Sequence, residues 1–137
     1  MDRKETNPPA NPKDRVGVRK APMSNVPATV LAELGVAMLE GAMKYGTANW
    51  RTAGVRTSVY YDATLRHLFA WWDGEDIDPD SGLSHVIKAI ASLTVLRDAM
   101  LQDMVTDDRP TRSLRPVYEG LHEHTAALID KHAARAA

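Results

Sequence analysis

Apolar residues recur at three- and four-residue intervals in three long stretches of this chain and alternate in none of them, which commits it to helices rather than sheet. In the first stretch Val30, Leu31, Leu34, Met38, Leu39, Ala42 and Met43 recur at helical spacing behind Asn25-Val26-Pro27, where a proline in the first turn sacrifices no hydrogen bond. That helix should end near Tyr45-Gly46. A second helix, about Val59 to Trp72, places Leu65, Leu68, Phe69 and Trp72 on one side, Asp62, Arg66 and Asp73 on another, and stops at Gly74. The third should run from Ser81 to about Met104, capped by Asp80 or Ser81, with Leu83, Val86, Ile87, Ile90, Leu93 and Met100 as its buried stripe. A weakly amphipathic helix from about Val117 to Ala134 follows a linker at Asp107 to Pro116. The expected fold is all-α, with an extended, proline-rich and basic N-terminal arm over residues 1–25 and a helical domain over 26–106. Residues 107–137 then form the linker and a C-terminal helix available for oligomer contact.

A chain of 137 residues is long enough to bury one core. Its 17 Lys and Arg stand against 18 Asp and Glu, a net charge of -1, so it lacks the basic excess that draws proteins onto nucleic acid or an anionic membrane. Neither is an expected partner. The absence of cysteine excludes disulfides, thiol nucleophiles and thiolate zinc sites, leaving oxygen or imidazole to hold any metal. No apolar run approaches the roughly 20 residues that span a bilayer. Residues 1–11 carry charges and prolines where a signal peptide is apolar, so a soluble, cytoplasmic protein is expected.

Five groups of residues could carry chemistry. Glu33, Glu40 and Lys44 return to one stripe of the first helix, either as a solvated face with a Glu40–Lys44 pair or as part of a site. Gly35 and Gly41 weigh toward a site, since each costs up to about 1 kcal/mol inside a helix and suggests close packing or ligand approach. The acidic run from Gly74 to Ser81 fails as an EF-hand, with Ser81 at the glycine position and Ile87 where a bidentate glutamate belongs. It suits a magnesium or manganese site in which Glu75 and Asp78 face the first-helix acids, or else a solvated turn capping the third helix. With no glycine-rich phosphate loop, phosphate must be met by Lys44, Arg51, Arg66 and the arm's Lys13 and Lys20. His67 and His85 lie at matching helix edges and either bond a substrate or pack. Tyr45, Trp50 and Tyr61 stack on a base or fill the core, and Asn49 accompanies Trp50 in the Thr47–Ser58 loop.

Taken as a set, NPKDRVGVRKAP, EGAMKYGTANWR and YYDATLRHLFAWWDGEDIDPDSGLSH resemble the phage dATP/dGTP diphosphohydrolase family, a branch of the MazG-like all-α nucleoside triphosphate pyrophosphatases. The resemblance covers about Asn11 to Leu96. It implies a compact helical bundle of the all-α pyrophosphatase type, working as a dimer or tetramer, that hydrolyses purine deoxynucleoside triphosphates between the α and β phosphates with Mg²⁺ or Mn²⁺. Such enzymes hold metal through an ExxE helix and an ExxD helix. Here Glu33 is followed by Val36 and Ala37, whereas Glu75 to Asp78 spells ExxD just before Pro79. The expected metal set is therefore Glu33, Glu40, Glu75 and Asp78, with Glu40, Lys44, Arg66 and His67 as catalytic candidates. Substrate binding falls to Lys13, Lys20, Tyr45, Asn49, Trp50, Arg51, Tyr61 and His85. The incomplete ExxE pair also admits a non-catalytic nucleotide-binding or protein-interaction module on the same fold.

Overall fold

The structure, a computed structural model, describes residues 11–113 and 115–136. The chain divides into two compact units, one ending at Asp107 and one beginning at Asp108. In the first unit the Asn11 side chain accepts the Lys13 N–H at 3.0 Å and Pro12 occupies the first turn, which starts a short helix, α1 (Pro12–Gly17). A single 3₁₀ turn follows at Met23–Asn25. The expected extended arm thus contains helical turns over its described part, and residues 1–10 of it lie outside the described residues.

Helix α2 (Ala28–Tyr45) starts behind Pro27 and ends at Gly46, whose φ of 94° lets its N–H turn back to the Ala42 carbonyl at 2.8 Å. The segment read as a loop then forms one helical turn, α3 (Trp50–Ala53), and a two-residue strand, β1 (Val55–Arg56). Helix α4 (Thr57–Trp72) and helix α5 (His85–Leu101) follow, and β2 (Val105–Thr106) closes the unit. The second unit is helix α6 (Pro116–Ala136), which has no buried residue of its own.

Helix α5 is the central element, packed on α4 and α2. The core joins Ala37 of α2 to Ile87 and Ala91 of α5, ringed by half-buried Leu34, Met38, Leu83 and Ile90. Burying Ile87 is worth roughly 1.5–3 kcal/mol. The apolar stripe expected on α4 is not the covered one: Phe69 and Trp72 are exposed, while Thr64 is buried and its hydroxyl donates to the Tyr60 carbonyl at 2.7 Å. The covered side of α4 carries Ala63, Thr64 and His67, short or polar residues that leave room for a cavity instead of filling it. On α5 the buried residues are His85, Ile87, Ala89, Ala91 and Ala99, and Leu93 and Met100 are half exposed.

Helix α5 also begins later than expected. Its N-cap is Ser84, whose hydroxyl accepts the Val86 N–H at 3.1 Å, because the preceding residues are claimed by another motif. The Asp78 carboxylate accepts the Asp80 N–H at 3.0 Å and the Ser81 hydroxyl at 3.1 Å, and an antiparallel bridge pairs Ile77 with Ser84. The acidic run therefore folds back on itself through neutral donors. At the other end of the α4–α5 pair, β1 and β2 align in parallel, with Val55 opposite Val105 and the Val55 N–H donating to Met104 at 2.8 Å. Gly54 permits this approach, having φ of 78° and only 3.1 Å between the Met104 carbonyl oxygen and the place a Cβ would occupy. Among the described residues no helix is long and apolar enough to cross a membrane.

Candidate active site

Helices α2, α4 and α5 line an open cavity of about 440 Å³, to which Asn49 and Trp50 also contribute. Because α4 and α5 are consecutive and His67 of one meets His85 of the other, the two helices run antiparallel and the lining is ordered along them. Near the Gly74–Ser84 loop stand His67, Arg66 and Lys88, and one to two turns further along α5 come Ser92 and Val95. Opposite Val95 lie Val59 and Tyr60 at the start of α4, with Tyr45 at the end of α2. Lys88 and Val95 are separated by about 10 Å of helix rise. The cavity is thus cationic toward one end and aromatic toward the other.

At the cationic end a carboxylate holds two ammonium groups. Glu40 Oε1 lies 2.8 Å from Lys44 Nζ and 3.0 Å from Lys88 Nζ, and Lys44 also reaches Asp80 Oδ2 at 3.2 Å. The Lys44 ammonium, aided by Lys88 and opposed by burial, holds the Glu40 carboxyl below its ordinary value. Glu40 and Asp80 in turn raise Lys44, so the Glu40–Lys44 pair is charged at neutral pH.

Beside this cluster His67 Nδ1 and His85 Nδ1 are 2.9 Å apart, and His85 Nε2 is 2.7 Å from Glu75 Oε1. If His85 donates its Nε2–H to Glu75, its Nδ1 lone pair faces His67. Burial, reinforced by His85, Lys88 and Arg66 and opposed by Asp78, pushes His67 below the ordinary imidazole value and keeps it neutral at pH 7. Asp78 stays ionised despite burial because the Asp80 N–H, the Ser81 hydroxyl and the two imidazoles favour its anion. His67, Asp78 and His85 offer ligand atoms within 4.8 Å of one another and could together hold a metal ion. The Glu75–His85 contact is of the kind that orients a metal-binding imidazole from behind.

Toward the aromatic end, the carboxylate of Asp98 accepts the Trp50 indole N–H at 2.7 Å and the Arg51 Nε–H and Nη2–H, each at 2.9 Å. The guanidinium first and the indole second hold Asp98 down at about 2. This fork fixes Trp50 at the cavity wall.

The family described as dATP/dGTP diphosphohydrolase, N-terminal, matches residues 10–109. The chain belongs to that family. A dATP/dGTP diphosphohydrolase of Salmonella phage PMBT28 is 30% identical over 90 residues, which are 66% of this chain and 30% of the phage protein. The alignment therefore spans less than a third of that relative's length. No solved structure matches the chain.

Most residues singled out from the sequence lie around this cavity. Glu40, Lys44, Tyr45, Asn49, Trp50, Arg66 and His67 line it. Asp78 and His85 stand next to His67, and Glu75 stands behind His85. Glu33 is exposed and joins no metal-binding group among the described residues, nor do Glu40 and Glu75. The four expected metal carboxylates are not brought together, because Glu40 is engaged by two lysines and Glu75 by an imidazole. Lys13 and Lys20 are exposed on the N-terminal segment and contribute nothing to the cavity lining. Tyr61 points to solvent at 58% exposure, and its neighbour Tyr60 lines the cavity in its place. Arg51 faces Asp98 rather than the cavity. Neither Gly35 nor Gly41 marks close packing, since a Cβ at either would meet nothing within 4 Å. Lys88, Tyr60 and Asp98 were not anticipated. The one available signal was Lys88, a lone cation in the otherwise apolar run from Val86 to Ala91.

Proposed function

We propose that the chain is a metal-dependent hydrolase of purine deoxynucleoside triphosphates, releasing the monophosphate and pyrophosphate. The observation that carries this reading is the polarity of the cavity lining: the His67 imidazole, the Glu40 carboxylate and the cationic Lys44, Arg66 and Lys88 toward one end, aromatic rings toward the other, with Asp78 and His85 next to His67. Such an arrangement suits an elongated ligand with a polyanionic tail and a flat base. The family and the name of the phage relative support purine deoxynucleoside triphosphates as the class of substrate.

His67, Asp78 and His85 would hold the metal. Two nitrogens and one oxygen favour Mn²⁺ or another transition ion over Mg²⁺, which prefers oxygen alone. Bound there, the ion would supply charge neutralisation on the phosphates and acidify a water. The chain's own side chains do the remaining work. Lys44 and Arg66 neutralise phosphate oxygens and hold them in line, which is most of what phosphoryl displacement needs. Trp50, fixed by Asp98, and Tyr60 offer ring faces against which the purine stacks, worth roughly 1–3 kcal/mol.

The test is a panel of NTPs and dNTPs assayed with Mn²⁺, with Mg²⁺ and with EDTA. Pyrophosphate should appear from dGTP or dATP, and only with a divalent ion. Orthophosphate as the first product, or turnover that persists in EDTA, rejects the mechanism. Tight nucleotide binding without any turnover assigns the chain to the non-catalytic alternative.

A further inference from the structure

The cavity lining contains three cationic side chains, Lys44, Arg66 and Lys88, and one carboxylate, Glu40. Lys88 is mostly buried, its side chain only 16% exposed, and Glu40 Oε1 is the one acceptor that its ammonium meets within hydrogen-bond distance among the described contacts. Burying an ammonium is costly unless it is hydrogen-bonded to an acceptor of opposite charge, and Glu40 is that acceptor here. An ammonium has three N–H donors, so one carboxylate oxygen leaves capacity for two more acceptors. Lys44, shared between Glu40 and Asp80, has less to spare. With Arg66 counted, three cationic side chains meet two carboxylates, Glu40 and Asp80, and the surplus of one positive charge, with the spare N–H donors of Lys88, favours an anion with several oxygens.

We propose that Lys88, together with Lys44, forms the binding subsite for the condensed phosphate chain, and that Glu40 is the counter-ion holding both ammonium groups in place rather than a metal ligand. The proposal rests on the nucleotide-hydrolase reading and names the residues of that site which meet the β and γ phosphates. On arrival of the phosphates, the free N–H groups of Lys88 turn to their oxygens while Glu40 retains one donor from each lysine. Arg66, on the facing wall, closes on the same chain from α4.

The experiment measures binding of inorganic tripolyphosphate by calorimetry in EDTA at low ionic strength, so that neither metal nor turnover enters. Wild-type protein should bind it, Lys88→Met should weaken binding by at least tenfold, and Glu40→Gln, whose amide oxygen still accepts from the lysines, should bind at least as tightly as wild type because only the repelling charge is gone. In a parallel titration Glu40→Gln should retain wild-type Mn²⁺ affinity. Unchanged tripolyphosphate affinity in Lys88→Met overturns the proposal, as does loss of tripolyphosphate or Mn²⁺ binding in Glu40→Gln, or a wild-type protein that ignores the probe. Should Lys88→Met fail to fold by circular dichroism, the two Glu40→Gln titrations decide alone. A protein that binds tripolyphosphate as described yet releases no pyrophosphate from dNTPs refutes the hydrolase reading and leaves the subsite standing.

Discussion

Asp98 is a single carboxylate that serves two neighbours on another element, and that concentration of bonds makes it sensitive to acid. Its folded value of about 2 lies below the roughly 3.9 of an unfolded aspartate. A group depressed in this way contributes its full stabilisation above about pH 4 and loses it as the pH falls toward 2. Asp98→Asn keeps the shape and removes the charge. The gap in melting temperature between wild type and Asp98→Asn should therefore be largest near pH 6 and shrink between pH 4 and pH 2. A gap that stays constant across that window would show that Arg51 and Trp50 gain nothing from the charge. The KM for a purine nucleotide should rise in the same variant, because the indole that Asp98 pins is then free to rotate.

At the scale of elements, the start of α5 matters most, since its first turn carries both His85 and Lys88. Ser84 secures that turn, and Ser84→Ala should cost about 1 kcal/mol of unfolding free energy in urea. An unchanged midpoint would mean that the Ile77–Ser84 bridge alone fixes the helix start. Chain punctuation made several boundaries legible: Pro27 and Gly46 bracket α2, and α4 ends two residues before Gly74. The start of α5 was not legible, because Ser81 and Ser84 are both good caps. The choice between them is made by Asp78, whose carboxylate captures the Ser81 hydroxyl. The covered face of α4 was misread for a related reason. Periodicity marks where large apolar residues cluster, but the residues of α4 that face the interior surround a cavity and are short or polar. His67 and His85 were visible as residues at matching helix edges. Their contact was not, since eighteen positions and an intervening loop separate them. Glu40 and Lys44 were legible as a pair, whereas the third member, Lys88, arrives from a helix whose packing no local pattern specifies.

For the whole molecule, the distribution of apolar surface is the main constraint. No large side chain is fully buried among the described residues, and Val36, Leu39 and Met43 lie exposed along α2 at helical spacing. We propose that a second copy of the chain covers this face. A core built mostly from alanine, with Ile87 and Val55, is small for a unit of this size and gains from further burial. Light scattering should give a multiple of 15.1 kDa at micromolar concentration, and Leu39→Glu with Met43→Glu should reduce it to the single-chain mass. A wild-type particle of 15.1 kDa would sink the idea. The β1–β2 pairing sets a further constraint on motion. It fastens the α4–α5 pair at one end, through positions 55 and 105, while the two imidazoles meet toward the other, so any hinging about the Val55–Met104 bond would be felt most at the imidazoles. Thr57 and His67 are about 15 Å apart along the helix, so a swing of about 4° at that bond displaces an imidazole by about 1 Å. A displacement of that size would part the 2.9 Å contact between His67 and His85, so the strand pairing at the far end is what keeps the two imidazoles in register.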